Sequence, residues 1–309
     1  MGSQGQRDRR GRIRRAGVGL FVAALLAAAL YLTVIAPLRS LDSGEGPGAQ
    51  QGQPVTVAPG GSPAPAPTGS SPAAPNQGDP SGAAMPTGDL PGWRQFLAED
   101  FSGTALNEQR WTSYTGQPLG DPGGWFDPSH VSVGGGLLTI GGWRDPARGN
   151  IYVTGGVATR EPHNRAYGRF DIRFRMDQGT GIAYALLLWP TSNQYPPEID
   201  IAEDNGRLRD RMYGVLHPRQ GDPISDSVSG DFTRWHTAGV EWTPQRLVFT
   251  VDGRPWKTIT GDRVPAEPMK LALQTQAWNC GHSWEACPNA RTPALVNLQV
   301  DWVVGYAPQ

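Results

Sequence analysis

From residue 92 onward the chain carries short apolar runs separated by Gly, Pro, Asn and Asp. Leu137-Leu138-Thr139-Ile140, Phe170-Asp171-Ile172-Arg173-Phe174-Arg175, residues 183–188, Leu247-Val248-Phe249-Thr250-Val251 and residues 298–304 are such runs. Runs of this length, mostly alternating and bounded by turn residues, are predicted to be β-strands with one face on a core. Asp252-Gly253, between Val251 and Trp256, is a hairpin signal. No strong helical period interrupts the region. The prediction for residues 92–309 is therefore all-β, one sandwich of two packed antiparallel sheets, and the length suits a full core.

The first 91 residues follow other patterns. Residues 1–15 hold six arginines, Arg7, Arg9, Arg10, Arg12, Arg14 and Arg15, against Asp8. Residues 16–38 are uncharged and apolar, long enough for a helix to span a bilayer. With arginines before this run and no Lys or Arg from Ser40 to Gly92, the positive-inside rule puts the N-terminus in the cytoplasm and the rest outside. Bulky Ile35 and Leu38 near its end favour an uncleaved signal anchor over a signal peptide that would release the protein. Residues 39–91 are rich in Pro, Ala, Gly, Ser and Gln, hold no aromatic residue, and are predicted to be a disordered linker. All eleven Trp lie beyond it. The net charge of −1 conceals the basic tail, but those arginines flank the membrane run, and no nucleic-acid partner is expected.

The densest chemistry is Glu198-Ile199-Asp200-Ile201-Ala202-Glu203, three carboxylates on an apolar strand-like frame. Strict alternation puts Glu198 and Asp200 on one face and Glu203 on the other. A β-bulge at Ile201 or Ala202 would return Glu203 to the Glu198 face. The two glutamate backbones would then stand roughly 13 Å apart, and their carboxyls could converge to about 5 Å, the spacing of a retaining glycosidase. A calcium cluster fits less well, since calcium wants six to eight oxygens, usually on a flexible loop. Asp204 and Asn205 follow directly and are candidates for the same cleft, although Asn205-Gly206 also suits a turn. No nucleophile elbow, P-loop, dinucleotide fingerprint or zinc helix occurs.

Cys280 and Cys287 are the only cysteines, and in an exported domain the leading expectation is a disulfide. Zinc, with His282 between them, lacks an evident fourth ligand, so no metal is expected. Sugar rings stack on aromatics, which makes Trp125, Trp143, Trp189, Trp278 and Trp284 candidates for a substrate platform, about half of them in contact with ligand. Trp111, Trp242 and Trp302 lie in strand patterns and are expected to be structural.

Glu198-x-Asp200-x-x-Glu203 resembles the bulged catalytic strand of glycoside hydrolase family 16, the jelly-roll endoglycanases that include laminarinases and agarases. The likeness runs from about Phe96 to Tyr306. It takes in residues 153–159, Tyr167-Gly168-Arg169-Phe170, Leu188-Trp189-Pro190, Val240-Glu241-Trp242-Thr243-Pro244, Val251-Asp252-Gly253 and Val300-Asp301-Trp302-Val303. Pro197 and Ala202 depart from many laminarinase-like members, and Leu273-Gln274-Thr275-Gln276-Ala277-Trp278 replaces a glycine-rich strand. The resemblance implies Glu198 as nucleophile, Asp200 as its modulator and Glu203 as acid/base. It implies Trp189 on the sugar beside the cleavage point and His217 in the cleft; Gln276, Trp278 and Trp284 complete the expected substrate-binding set. The expectation is a monomeric, cofactor-free, retaining endo-hydrolase of a β-linked polysaccharide, with a β-1,3-glucan or related glucan first. A cell-envelope transglycosylase and a non-catalytic carbohydrate-binding protein of the same fold are the alternatives.

Overall fold

The structure is a computed structural model that describes residues 79–118, 124–281 and 284–309. The expected span 16–38 and most of the expected linker lie outside the described residues. Among the described residues no helix is long and apolar enough to cross a membrane.

Sixteen strands make up the described fold. They are β1 (Trp93–Glu99), β2 (Trp111–Ser113), β3 (Val131–Gly134), β4 (Leu137–Asp145), β5 (Ile151–Val153) and β6 (Gly156–Thr159). β7 (Gly168–Met176), β8 (Ala183–Pro190), β9 (Glu198–Glu203), β10 (Arg211–His217) and β11 (Ile224–Ser229) follow. The last are β12 (His236–Thr243), β13 (Arg246–Val251), β14 (Arg254–Thr260), β15 (Met269–Gln276) and β16 (Val296–Pro308). One sheet runs β14-β13-β12-β7-β16-β4-β3, with β1 and β5 attached to β16 and β4; the other runs β11-β10-β9-β8-β15-β6-β2. Neighbouring strands pair antiparallel, as in β7 with β16 and β8 with β15. The five runs picked out by their pattern fall in β4, β7, β8, β13 and β16. Asp252-Gly253 is the β13–β14 hairpin, and both residues take positive φ, as a type I′ turn requires.

The core lies between the sheets. Phe170, Ile172, Phe174 and Met176 enter it from β7, and Tyr184, Leu186 and Leu188 meet them from β8. Trp111 and Trp242 are fully buried, and Trp302 is nearly so, as expected of structural tryptophans. Each fully buried large apolar side chain contributes roughly 1.5–3 kcal/mol. A platform this heavily buried can hold polar side chains on its other face.

The fold begins earlier than the composition suggests. Residues 79–91, expected to belong to the linker, are bound to the end of the chain. Ser81 N donates to Asp301 Oδ2 at 3.0 Å, and Trp302 Nε1 donates to Ala83 O at 2.9 Å. Met85 and Leu90 pack against Trp302, Val304 and Tyr306. Two apolar residues in a Pro/Gly-rich stretch are too few to register as a strand pattern, yet they cover a patch formed more than 200 residues later.

Candidate active site

The expected bulge is present at Ile201. Across from β9, Leu187 pairs with Asp200 and Leu186 with Ala202, which leaves Ile201 without a partner on β8. On the other side Tyr213 pairs with Glu203 and Val215 with Asp200, so Gly214 faces two residues. Ile201 and Ala202 therefore both enter the core, breaking the alternation, while Glu198, Asp200 and Glu203 share the opposite face. Gly214 suits its place, since a Cβ there would come within 2.9 Å of Phe249 and 3.0 Å of Trp256 in the core.

Around these acids the seven-stranded sheet presents Ala185, Leu187 and Trp189 from β8, and Ala272, Gln274 and Gln276 from β15. Tyr114 lies over Gly156 in β6, where a side chain would collide with its ring at 2.3 Å. His217 stands opposite Glu198 in register. Its Nε2 lies 3.2 Å from Asp200 Oδ2, and its Nδ1 lies 3.0 Å from the Tyr195 hydroxyl. With the proton on Nε2, the ring accepts from Tyr195 through Nδ1 and turns its Nε2 edge towards Asp200. Tyr195 in turn stacks on Trp189, with centroids 5.8 Å apart and planes at 13°. Tyr195, His217 and Asp200 thus form a chain from the sheet edge to the middle acid.

Electrostatics set this face apart. Burial, and then the charge of Asp200, raise the carboxyls of both Glu198 and Glu203 well above the ordinary range. Burial also raises the Tyr195 hydroxyl, with Glu198, Asp200 and Glu203 adding to it. Tyr114 is raised by burial and then by Glu198. Carboxyl groups whose proton affinity is raised in a cleft are equipped to donate and take up protons.

The other expected residues divide. Cys280 and Cys287 form the disulfide, with Cα atoms 4.9 Å apart. Trp278 is half-buried just before it, and Trp284, inside the loop, meets Tyr213 edge-on at 5.3 Å. Gln276 is buried and accepts from Gln274 Nε2 at 3.2 Å. Trp143 stacks on His130, and Trp125 lies under the Arg148 guanidinium. Asp204 is corrected from cleft to core: it is 1% exposed, paired with buried Arg209, and accepts from Tyr184 N and Gly206 N at 3.2 Å. Returning Glu203 to the cleft sends the next residue inward. Asn205 is a turn residue, its Oδ1 accepting from Arg207 N.

Sequence reading missed Tyr114, Tyr195 and Tyr213. Tyr195 had a local signal, since it opens the Pro196-Pro197 turn directly before Glu198. The other two reach the acids only through strand pairing. Glu198, Asp200 and His217 also bring one potential ligand atom each within 4.8 Å of one another. One imidazole and two carboxylates fall well short of the six to eight oxygens calcium takes, and the His217 nitrogens already face Asp200 and Tyr195.

A two-sheet sandwich with three carboxylates and stacked aromatics on one sheet face has the layout of a carbohydrate-active enzyme. The family model of glycosyl hydrolases family 16 matches residues 145–303, just over half of the chain, and the protein belongs to that family. A glucan endo-1,3-beta-glucosidase A1 of Niallia circulans is 26% identical over 56% of this chain and 30% of its own length. A beta-glucanase of Rhodothermus marinus is 29% identical over 44% of this chain and 52% of its own. The chain thus spans about a third to a half of the length of these curated relatives. Among solved structures, the laminarinase from Rhodothermus marinus superposes with a TM-score of 0.62 at 25% identity, covering 70% of this chain and 98% of that one. The catalytic domain of an endo-1,3-beta-glucanase from Thermotoga petrophila, at 21% identity and the same TM-score, shows the shared fold.

Proposed function

We propose that the protein is a retaining endo-β-glucanase acting on a β-1,3-glucan or related mixed-linkage glucan. The observation that carries this reading is the bulge, which gathers Glu198, Asp200 and Glu203 on one cleft face. In the first step the Glu198 carboxylate attacks the anomeric carbon. The glycosidic C–O bond breaks, and the leaving oxygen takes the proton of Glu203. In the second step water attacks the same carbon and gives a proton to Glu203, and the ester bond to Glu198 breaks. Asp200, bridged to His217, orients and charges the strand between them. Trp189 and Tyr195 offer the apolar face on which a sugar ring stacks. The family and the relatives' glucanase names support the substrate class.

The test is the purified protein on a panel of soluble glucans, with proton NMR of the first-formed reducing ends before mutarotation. The expected result is shortened chains whose new ends are β-anomers. Initial α-anomers would mean an inverting enzyme. Tight oligosaccharide binding with no cleavage would favour a binding protein of the same fold, and new glycosidic bonds in place of reducing ends a transglycosylase.

On sequence alone, residues 16–38 are proposed to anchor the chain, with the folded domain outside the cell. Cell fractionation should recover the full chain in membranes; most of it in the medium would point to a cleaved signal and a secreted enzyme.

A further inference from the structure

Four cleft-facing residues on neighbouring strands line up in one row across the seven-stranded sheet. His217 on β10 pairs with Glu198 on β9. Leu188 on β8 pairs with Ile199, which sets Trp189 level with Glu198, and Trp189 pairs with Lys270 on β15. Lys270 is therefore on the face of the acids, two strands from Glu198 and roughly 10 Å from it between backbones at the usual strand spacing. The reaction above leaves this lysine unused. Its surroundings are unlike those of Lys257, the other lysine of the chain, which binds Asp226 at 3.0 Å. Lys270 is partly buried and forms no ion pair among the described residues; Glu267, the acid closest to it in sequence, is taken by Arg219. Burial lowers the proton affinity of its amine, with no acid to offset the shift. Its Nζ donates to Asn193 Oδ1 at 2.7 Å, in the turn after β8. Asn193 takes a positive φ of 57° there, and its N–H donates to Pro190 O at 3.0 Å. Just past the end of β6, on the far side of β15, Arg160 likewise forms no ion pair among the described residues, and its Nε donates to Trp111 O at 2.9 Å.

We propose that Lys270 is a specificity-determining residue that binds a carboxylate substituent on the sugar beside Trp189, so that the substrate is an acidic β-glucan rather than a neutral one. This rests on the glucanase reading above and narrows its substrate class. Lysine is rarely withdrawn from water without a counter-charge, because desolvating the ammonium costs free energy that an acid normally offsets. In the empty cleft that counter-charge is absent, and an acidic ligand would supply it. The ammonium has three donors, and the neutral Asn193 amide takes one while fixing where the charge stands. Trp189 and Tyr195, stacked with planes at 13°, hold a sugar ring next to it. A negatively charged glycan is repelled by the three cleft acids, and a cation in the same row offsets that repulsion. An ammonium acts as a point charge, so it accepts a carboxylate from several directions.

The experiment compares full-length wild-type protein with Lys270→Met, which removes the charge, and Lys270→Arg, which keeps it. The substrates are β-1,3-glucans of matched length, carboxymethylated or, as the neutral control, hydroxyethylated. Wild type should show a kcat/KM about tenfold higher on the carboxymethylated glucan, expressed mainly in KM, and added salt should shrink that preference. Lys270→Met should lose the preference, and Lys270→Arg should keep most of it. A wild type that treats both glucans alike or favours the neutral one, or a Lys270→Met that loses equally on both, would make Lys270 a brace for the Asn193 turn and overturn the proposal. Should Lys270→Met fail to fold, Lys270→Gln is read by the same measurements. Equilibrium binding to the two glucans separates this proposal from the reaction itself. Tighter binding of the carboxymethylated glucan that Lys270→Met abolishes, in a protein that cleaves neither, would sink the glycosidase reading and leave this one standing.

Discussion

The outer face of the nine-stranded sheet and the cleft face of the seven-stranded sheet both carry acids on alternating strand positions, and they treat them in opposite ways. On the outer face Arg169 binds Asp171 at 2.8 Å and Glu241 at 3.2 Å, and His236 binds Asp252 at 2.7 Å. Among the described residues the ion pairs give the cleft acids one imidazole, His217, near the middle one. Paired acids hold strands together, and Arg169 pulls the Asp171 carboxyl down against the burial that raises it. Acids crowded without cations raise one another's proton affinity, which costs stability and makes them reactive. The contrast separates structural from chemical carboxylates within one sandwich.

The largest expected effect tests that contrast directly. Glu198→Gln and Glu203→Gln should each lower kcat on a soluble glucan by about 10³-fold or more with the fold intact, because each removes a group that makes or breaks a bond. Asp200→Asn should lose less, and Glu241→Gln, an equally conservative change on the outer face, should leave kcat within about twofold. A strong loss in the Glu241 variant, or near wild-type turnover in either cleft variant, would erase the distinction.

Next in size is the acid that lies beside the cleft in sequence and beneath it in space. Arg209→Ala leaves Asp204 buried without its partner and also strips donors from Asp177 O and Ile182 O. It should cost about 3–5 kcal/mol in denaturant unfolding. Arg169→Ala on the outer face, where the guanidinium is 26% exposed, should cost about 1 kcal/mol. Similar costs at both sites would mean that the two pairs are equally buried in solution.

The smallest effect has the opposite sign. The Glu203 carboxyl holds its proton more tightly folded than unfolded, so its contribution is fully present below the ordinary carboxylate range and is lost as pH rises toward the folded value. Gln carries no such loss. Glu203→Gln should therefore raise Tm by a few degrees at neutral pH, and the gain should shrink as pH falls toward 4. A variant that is less stable than wild type at pH 7 would show that Glu203 is held by favourable contacts rather than strained by its neighbours.

What could be read from the chain followed from local periodicity. Alternation within β7, β8 and β16 announced strands, and Glu198-x-Asp200-x-x-Glu203 announced its own bulge, because the odd spacing of Glu203 is visible in six residues. The Asp252-Gly253 hairpin and the Cys280–Cys287 bridge are likewise properties of short segments. The assignment of Asp204 to the cleft failed at the same strand for a related reason. Period two says that a residue after the bulge points inward, but not that Arg209 waits there.

Sequence alone therefore determined the strand pattern, the acidic hexad and the place of its bulge, since steric alternation and turn preference act over a few residues. Tertiary structure decided the surroundings of each acid. Tyr114 has its place over the sheet because Gly156 leaves it room, Tyr195 binds the His217 ring that lies beside Asp200, and Ser81 binds Asp301 across 220 positions. Burial and charge depend on what the other strands bring to the same few ångströms. Those fields, rather than the identity of the carboxylates, separate the structural acids from those of the cleft.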